Sequence, residues 1–367
     1  MAVLATIWVR GAGAQGLKDG TSLANAYGLD PNVADDAWTA INALPALTNN
    51  LEIKICGGGT IGASIIISRS VTTAYRVIVQ GRNAGDTADE EVAIDAGGGA
   101  FTVISFNNCA RYQVFDIRGT NTNAAAGKNG FYMAGASDNM VFTRCRGDNC
   151  DEGFYSSSGS FGHTYIDCRA HDNVNYGWDI WSTRDRCIRC VSHDNGWGFS
   201  NAEHYGCVSY GHTNTGFDYH IVAVGCIAYN NGTDGFYNLA TGANCTMIDC
   251  LSVNNGRFGF NQPTAHTTLL LRCGTILNTS GRTNSAIGAW NDLNNPALTA
   301  DPFINAAAAN FALNNAAGGG RLCRNNAGLL VPGGLSRTYL DIGAIQTLRA
   351  PAVPQGLQSL TAGVIAS

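Results

Sequence analysis

The chain has little charge and almost no lysine. Charged residues make up 13% of its 367 residues, and only three lysines stand beside nineteen arginines. The formal net charge is −5, so the sequence lacks the basic surface that nucleic-acid binding requires. No apolar run approaches the roughly 20 residues of a membrane-spanning helix. We therefore predict neither a nucleic-acid partner nor a membrane span.

The first residues also lack the basic start and the apolar length of a secretory signal. We therefore expect synthesis in the cytoplasm without a recognisable signal peptide. The final location is then a virion, or the outside of the cell reached by another route.

A repeated phrase occupies residues 130–273, in which a Gly-aromatic pair precedes a short segment that ends in Cys. Both series advance in steps of 17 to 24 residues. Units of this length stack on their neighbours, because none can bury its apolar face alone. The pairs are Gly130-Phe131, Gly153-Phe154, Gly177-Trp178, Gly198-Phe199, Gly216-Phe217, Gly235-Phe236 and Gly259-Phe260, and the cysteines are Cys145, Cys168, Cys190, Cys207, Cys226, Cys250 and Cys273.

The residues before each cysteine alternate between apolar and polar, as in Tyr165-Ile166-Asp167-Cys168. This period of two is that of a β-strand. Each step has room for short strands and turns but for no helix. We predict an all-β chain that forms a parallel β-helix, a solenoid of coils of about 20–24 residues, and a right hand because parallel crossovers nearly always have it.

Stacked coils place equivalent residues in columns. The aromatic and cysteine columns should fill the interior, the cysteines as reduced thiols. The residue before each cysteine belongs to an outward column in which neighbouring charges alternate in sign, which favours pairing. Asn residues after the cysteines should stack at turns, and their absence after Cys207 predicts a local bulge. The charged column is Arg144, Asp167, Arg189, Gly206, Gly225, Asp249 and Arg272.

The chain divides into three segments. Residues 1–50 should form an N-terminal strand and a capping segment, in which the apolar spacing of residues 35–44 predicts a short amphipathic helix. Residues 51–346 should form the β-helix, with less regular coils at 51–129 and 274–346. Residues 347–367 form a C-terminal tail that is typical of a linker or an assembly segment.

Both ends of the chain carry a family resemblance. The segments Trp8-Val9-Arg10-Gly11, Asp301-Pro302-Phe303 and Leu340-Asp341-Ile342-Gly343 resemble the first and last signatures of right-handed parallel β-helix proteins of the pectate-lyase-like superfamily. With the repeats, the resemblance covers about residues 1–346. It implies one of several functions: polysaccharide lyase, glycoside hydrolase, epimerase, or bacteriophage tailspike and other virion appendage.

The residue after each inward aromatic should point outward. This rule gives one column of Tyr132, Tyr155, Asp179, Ser200, Asp218, Tyr237 and Asn261, and a second column, two residues further on, that contains Trp181 and His220. Together they predict an exposed patch of aromatic and ionisable side chains. Such a patch suits a sugar chain, because flat rings stack on pyranose faces and polar groups bond to hydroxyls. The candidate carbohydrate-binding residues are Tyr155, Trp181, Tyr237 and Arg184.

The candidate catalytic residues lie in the same patch. Asp179 and Asp218 should sit two coils apart, roughly 9–10 Å, near the upper limit for the carboxylates of an inverting glycosidase. His220 shares a strand face with Asp218 and would orient it as a general base. Asp234 resembles the acid at an Asp-Gly strand start in β-helix polygalacturonases, although the companion Asp-Asp and Gly-His-Gly signatures of those enzymes are missing.

A lyase would need different groups. Asp151, Glu152 and Asp179 would then hold Ca²⁺ through oxygen ligands, with Arg184 or Arg186 as the base. A hydrolase would need no cofactor, and no pair of histidines has the spacing of a metal site. We expect His163, His171, His193, His204 and His212 to be hydrogen-bonding surface residues.

Two function classes remain. The first is a bacteriophage-type virion protein, such as a spike, fibre or decoration, that contacts cell-surface polysaccharide. Its partners would be the glycan, other virion proteins and two further copies in a homotrimer. The alternative is a polysaccharide-degrading enzyme, and the two are compatible on one β-helix.

Overall fold

The computed structural model describes residues 3–11, 21–32, 36–45, 47, 49–69, 75–122, 128–181, 184–219, 222–238, 245–263, 268–284, 290–293 and 297–323. Within these ranges, three parallel sheets of 13, 10 and 10 strands wind into a right-handed β-helix. The chain visits the first, second and third sheets in turn. This architecture confirms the predicted all-β solenoid.

The strand bounds follow the coils. The first sheet contains Val3–Arg10, Tyr27–Gly28, Asn50–Cys56, Val77–Arg82, Tyr112–Phe115, Val141–Thr143, Thr164–Ile166, Arg186–Ile188, Glu203–Tyr205, Val222–Val224, Cys245–Ile248, Thr268–Leu271 and Trp290–Leu293. The second sheet contains Gly59–Thr60, Val92–Asp95, Ile117–Thr120, Arg146–Asp148, Arg169–His171, Val191–His193, Val208–Tyr210, Ile227–Tyr229, Leu251–Val253 and Gly274–Ile276. The third sheet contains Ile65–Ile67, Ile104–Asn107, Asn129–Ala134, Glu152–Ser156, Tyr176–Ile180, Trp197–Ser200, Phe217–Asp218, Phe236–Tyr237, Phe258–Asn261 and Gly281–Thr283.

The aromatic column fills the interior as predicted. Its seven rings are fully buried, and each stacks on the next at a centroid distance between 4.5 and 5.2 Å. Stacked pairs contribute about 0.5–1.5 kcal/mol each beyond the burial of their area. This column therefore fixes the register of the third sheet.

The cysteine column is also interior. All thirteen cysteines are buried and none is in a disulfide, which confirms that the column lies in the interior. Along the column, each Sγ donates to a backbone carbonyl of the neighbouring coil, for example from Cys145 to Val114 at 3.4 Å and from Cys273 to Met247 at 3.4 Å. Burial raises the pKa of the Cys145 and Cys273 thiols, which keeps both uncharged.

The column before the cysteines forms a tight turn between the first and second sheets. Asp167 and Arg189 have φ values of +54° and +52° there, and their side chains pair at 2.7 Å. Arg272 and Asp249 pair in the same way at 2.7 Å. The charge alternation is confirmed. Glycines replace it on the two coils between, at Gly206 and Gly225, where φ is +62°.

The column of turn residues that follows the cysteines is unbroken, although one of its members is a histidine. The predicted bulge at Cys207 is therefore wrong. His212 occupies the missing position, because the Asn195 amide donates to His212 Nδ1 at 3.1 Å and the His212 amide donates to Asn231 Oδ1 at 3.3 Å. The pairing of Val208–Tyr210 with both neighbouring strands shows no register shift.

Several histidines are buried, contrary to the expectation that all lie on the surface. His163 and His204 have no exposed area, and His212 is 2% exposed. The His204 ring packs against Phe199 and Phe217 in the core. Imidazole thus replaces an aliphatic or amide side chain at these inward positions. The alternation pattern alone does not distinguish a buried histidine from an exposed one.

The N-terminal end of the stack is covered by helix α1, Ala37–Ala43, which confirms the predicted short helix. The Asp36 side chain accepts hydrogen bonds from the first-turn amides, and Trp38 is buried. Asn42 hydrogen-bonds to the backbone of Ile65–Ile67, the first strand of the third sheet. The helix therefore covers a strand edge that would otherwise be free to pair.

The segment 297–323 leaves the stack, where we expected less regular coils. Strands Phe303–Asn305 and Asn310–Leu313 form an antiparallel hairpin against the outer face of the second sheet. Phe311 packs on Tyr210 and Tyr229, with ring centroids 5.2 and 5.6 Å apart. The remaining elements are two 3₁₀ turns, Leu23–Asn25 and Ala306–Ala308, and helix α2, Gly320–Cys323.

No helix in the described ranges is long and apolar enough to cross a membrane. The tail, residues 347–367, lies outside the described residues. The boundaries of the three segments and the role of the tail stay predictions.

Candidate functional site

The third-sheet face is the outer surface of the third sheet around Tyr155, Asp179, Ser200, Asp218 and Tyr237. Strand pairing places Tyr155 beside Asp179, Ser200 beside Asp218, and Asp218 beside Tyr237. The aromatic residues that precede them are buried in the interior, so these side chains project from the opposite side of each strand. Asp179 and Asp218 therefore lie two coils apart, with Ser200 between them.

The third-sheet face is less exposed than the sequence pattern predicts. Ser200 is 1% exposed and Asp218 is 4% exposed. The strand ends at Asp218, and the backbone turns immediately at Tyr219, where φ is +51°. The Tyr176 side chain, two coils away, lies close enough to the Asp218 carboxyl group to influence its pKa. Alternation identifies the side of the sheet, but the turns and neighbouring rings determine exposure.

Asp179 is held by two side chains. Trp181 Nε1 donates to Asp179 Oδ2 at 3.3 Å, and Ser200 Oγ donates to Asp179 Oδ1 at 3.3 Å. Burial and the charge of Asp151 raise the pKa of Asp179, while the two hydrogen bonds oppose this rise. The carboxylate is thus oriented from both sides.

Asp218 is the more perturbed of the two carboxyl groups. Burial, together with the charges of Asp234 and Asp179, raises the pKa of Asp218 to about 7. Its Oδ1 atom is buried and has no hydrogen-bond partner. Asp218 therefore exchanges its proton near neutral pH, as a general acid or base requires.

Glu152 is a third carboxyl group at the site, which we considered only as a calcium ligand. Burial and the charges of Asp151 and Asp179 raise the pKa of Glu152 to about 8. The signal in the sequence was the acidic pair Asp151-Glu152 directly before Gly153. Glu152 is therefore largely protonated at neutral pH.

Aromatic rings border these carboxyl groups. Trp181 is 60% exposed, and Tyr155 is half-buried with its ring 5.1 Å from that of Tyr132. On the strands beside them, Tyr176 and Trp197 stack at 5.1 Å. The half-buried Tyr237 extends the row beyond Asp218. The result is a line of aromatic surface across several coils.

Arg184 follows Trp181 in the chain and places its guanidinium over the exposed ring of Phe161, 5.6 Å from the centroid. Arg186, the other candidate lyase base, belongs to the first sheet and forms an ion pair with Glu203 at 2.9 Å. Arg186 therefore does not face the site.

Asp234 has the contacts of a structural carboxylate. It has no exposed area and accepts hydrogen bonds from both Nε and Nη2 of Arg257. It also accepts from the Phe258 amide at 3.0 Å and from Asn261 Nδ2 at 2.7 Å. These four bonds occupy both oxygens. His220, the remaining candidate, lies outside the described residues.

The candidate calcium ligands do not form a metal site. In the part of the chain that the structure describes, no three His, Cys, Asp or Glu side chains are arranged to hold a metal ion. Asp151 accepts a hydrogen bond from Asn175 at 2.6 Å. The mechanism that we propose for this site therefore does not include a calcium ion.

No protein-family model and no curated protein sequence matches the chain. Among solved structures, the crystal structure of pectate lyase Pel9A is 14% identical, with coverage of 94% of this chain and 96% of that one and a TM-score of 0.57. The A-module of mannuronan C-5 epimerase AlgE4 from Azotobacter vinelandii is 14% identical, with coverage of 67% and 74% and a TM-score of 0.47. ORF18 of Geobacillus virus E2 is 13% identical, with coverage of 79% and 60% and a TM-score of 0.48.

At these identities the likeness concerns the fold alone, and of these three structures only pectate lyase Pel9A has a TM-score above 0.5. It agrees with the three parallel sheets described above and with the resemblance seen in the sequence.

Proposed function

Starting from a right-handed parallel β-helix with the pectate-lyase-like fold, we propose that this chain binds a polysaccharide along its third-sheet face. The observation that carries the proposal is the exposed indole of Trp181 bonded to the half-buried carboxylate of Asp179. An aromatic ring offers a sugar its flat face, and an adjacent carboxylate accepts from its hydroxyls. Tyr155 and Tyr237, on neighbouring coils, lie beside Asp179 and Asp218 and extend the aromatic surface along the solenoid.

The same geometry supports a second candidate, hydrolysis of the bound glycan. Asp218, with its pKa raised to about 7, would donate a proton to the leaving glycosidic oxygen. Asp179 would take a proton from the water that attacks the anomeric carbon, so that water is added across the broken bond. Two coils separate the carboxyl groups by about 9–10 Å, which is near the upper limit for an inverting pair with a water between its carboxyl groups. This pair predicts inversion at the anomeric carbon.

The setting that we propose is a virion appendage, such as a spike, fibre or decoration, that meets cell-surface polysaccharide. The thirteen buried free thiols support folding in a reducing compartment, as for a protein assembled in the cytoplasm. Other virion proteins and two further copies of the chain, in a homotrimer, are the proposed partners.

A polysaccharide panel tests the proposal. The purified chain is incubated with neutral and acidic polysaccharides, with and without calcium, while binding, new reducing ends and the absorbance of unsaturated products are followed. Binding to at least one polysaccharide supports the proposal, and absence of binding across the panel contradicts it. Reducing ends without absorbance support the hydrolase. Both signals together, dependent on calcium, would replace it with a lyase.

A further inference from the structure

Charge is unevenly distributed around the β-helix. Arginines and their carboxylate partners concentrate at the turn between the first and second sheets and on the second sheet. Arg118 bonds to Asp148 at 2.6 Å there, and Arg144 bonds to Asp116 at 2.6 Å. Pairing in register stacks Arg118, Arg146 and Arg169 on three successive coils. The main concentration of positive charge therefore lies away from the third-sheet face.

The third-sheet face carries carboxyl groups instead. Asp151, Glu152, Asp179 and Asp218 lie on or beside its strands. Among the described residues, the charges that contribute most to the raised pKa values of Glu152, Asp179 and Asp218 are those of other carboxylates.

Two arginines near this face bond to groups outside the Asp179–Asp218 pair. Burial raises the pKa of Tyr237 and the charge of Arg257 opposes this rise, so Arg257 lies near the Tyr237 end of the face. Arg257 forms its ion pair with Asp234, and the Arg184 guanidinium lies over Phe161. Lys128 precedes Asn129, whose strand pairs with that of Glu152, but its charge is not among those that shift the Glu152 pKa. An acidic sugar at Asp179 would therefore meet like charge.

A second observation is a buried oxygen atom at the site that has no hydrogen-bond partner. Asp218 is 4% exposed, and its buried Oδ1 atom accepts no hydrogen bond. An unpaired buried oxygen is costly, and a donor supplied by a ligand removes that cost. Sugar hydroxyls are donors and acceptors at once, so they bond to a carboxyl group in either protonation state. A sugar carboxylate or sulfate cannot donate to the ionised form of Asp218, and it brings a like charge next to Asp179.

We infer that the glycan of the third-sheet face is uncharged where it contacts Asp179 and Asp218, and that the site rejects polyuronates and sulfated polymers. This inference rests on the proposed function, and it names the substrate class of the same site. By this inference, the substrate of this chain differs in charge from that of a protein with the same fold that acts on an acidic polymer.

The experiment compares each polysaccharide that binds in the panel with a chemically matched form. Neutral binders are oxidised at their primary hydroxyls to carboxylates, and acidic binders are reduced at their carboxyl groups to alcohols. We expect the binders to be neutral and oxidation to weaken binding about tenfold or more at low salt. Binding of the neutral form should change less than about twofold between low and high salt, because no ion pairs form with it.

An acidic polymer that binds as tightly as its neutral form, or more tightly, would overturn the inference and leave the proposed function intact. Loss of that binding at high salt would show that ion pairs hold the acidic polymer. If no polysaccharide of either class binds, the proposed function fails, and the inference fails with it.

Discussion

The indole Nε1 of Trp181 donates a hydrogen bond to Oδ2 of Asp179 at 3.3 Å. This bond connects a ring that is 60% exposed to a carboxylate at the centre of the third-sheet face. It fixes the ring beside the carboxylate without burying it. A sugar that stacks on Trp181 would therefore bring its hydroxyls or its glycosidic oxygen within reach of Asp179.

Substitution of Asp179 tests the hydrolase candidate. We expect Asp179→Asn to lower the release of reducing ends about 100-fold or more, because the amide cannot take a proton from water. The matched control is Asp167→Asn, which removes an exposed partner of Arg189 at the turn between the first and second sheets. Equal rates in the two variants would contradict the role of Asp179.

The raised pKa of Asp218 predicts how stability depends on pH. In the unfolded chain the group titrates near its ordinary 3.8, and in the folded chain near 7. The folded state holds the proton more tightly, so the stability that this group contributes at low pH is lost as pH rises from about 4 to about 7. Between about pH 5 and pH 8 we expect the free energy of unfolding of the wild type to fall by about 2–3 kcal/mol more than that of Asp218→Asn, which has no carboxyl group to titrate at this position.

Urea denaturation of both proteins at the two pH values measures this difference. Asp167→Asn serves as the control and should follow the wild-type pH dependence. Parallel curves for the wild type and Asp218→Asn would show that Asp218 does not hold its proton in the folded state.

The two ion pairs Asp234–Arg257 and Asp167–Arg189 both bridge neighbouring coils but differ in burial. Side-chain exposure is 0% for Asp234 and 42% for Asp167. We expect Asp234→Asn to lower the free energy of unfolding by about 1–3 kcal/mol, because the buried amide would turn a donor toward the Arg257 and Asn261 donors that the carboxylate accepts from. Asp167→Asn should cost less than about 1 kcal/mol.

Denaturation of the two variants checks the difference in stability, and glycan binding per folded molecule should be unchanged in both. A selective loss of binding or cleavage in a stable Asp234→Asn protein would show that Asp234 has a functional role in the site.

The turn column gives a prediction about backbone conformation. Gly206 has φ of +62°, and its only near neighbour in the direction of a Cβ atom is Arg189 Cγ at 3.8 Å. Asp occupies the same position on another coil at Asp167, with φ of +54°. We expect Gly206→Asp to change stability by less than about 1 kcal/mol, since it adds a second carboxylate beside Arg189. Gly206→Val should cost more than about 1 kcal/mol, because a β-branched side chain is strained at positive φ.

Thermal or urea denaturation of the two variants provides the comparison. Equal destabilisation by Asp and Val would mean that the glycine is required for a reason other than its backbone conformation.

The sequence predicted the features that recur on every coil. The Phe154 and Cys168 columns were visible because an inward side chain in a solenoid must match its neighbours above and below. The sign alternation of Asp167 and Arg189 was visible for the same reason. Repetition therefore predicted the fold, the register of the third sheet and the two-coil separation of Asp179 and Asp218.

Features that depend on a single coil were not predictable in the same way. The burial of Asp218 depends on the turn at Tyr219 and on a tyrosine from another coil, and neither repeats. The function of His212 as a substitute for asparagine also required the contacts of both neighbouring coils.

The hairpin that covers the second sheet is signalled by residues that vary from coil to coil. At the first position of successive second-sheet strands, Arg146 and Arg169 give way to Val208, Ile227 and Leu251. Apolar residues at outward positions need a cover, and the segment 297–323 provides it. The change from arginine to aliphatic side chains was the available evidence of this cover.

The measurement that tests the central claim most directly is a titration of the best-binding polysaccharide against the wild type, Trp181→Ala and Ile304→Ala. The two substituted side chains are matched in exposure, at 60% and 59%, but Ile304 lies on the hairpin of the second sheet. The account predicts that Trp181→Ala weakens binding about tenfold or more, that Ile304→Ala changes it less than about twofold, and that both melting temperatures stay near the wild-type value. Unchanged binding by Trp181→Ala, or an equal loss in both variants, would contradict a glycan site on the third-sheet face.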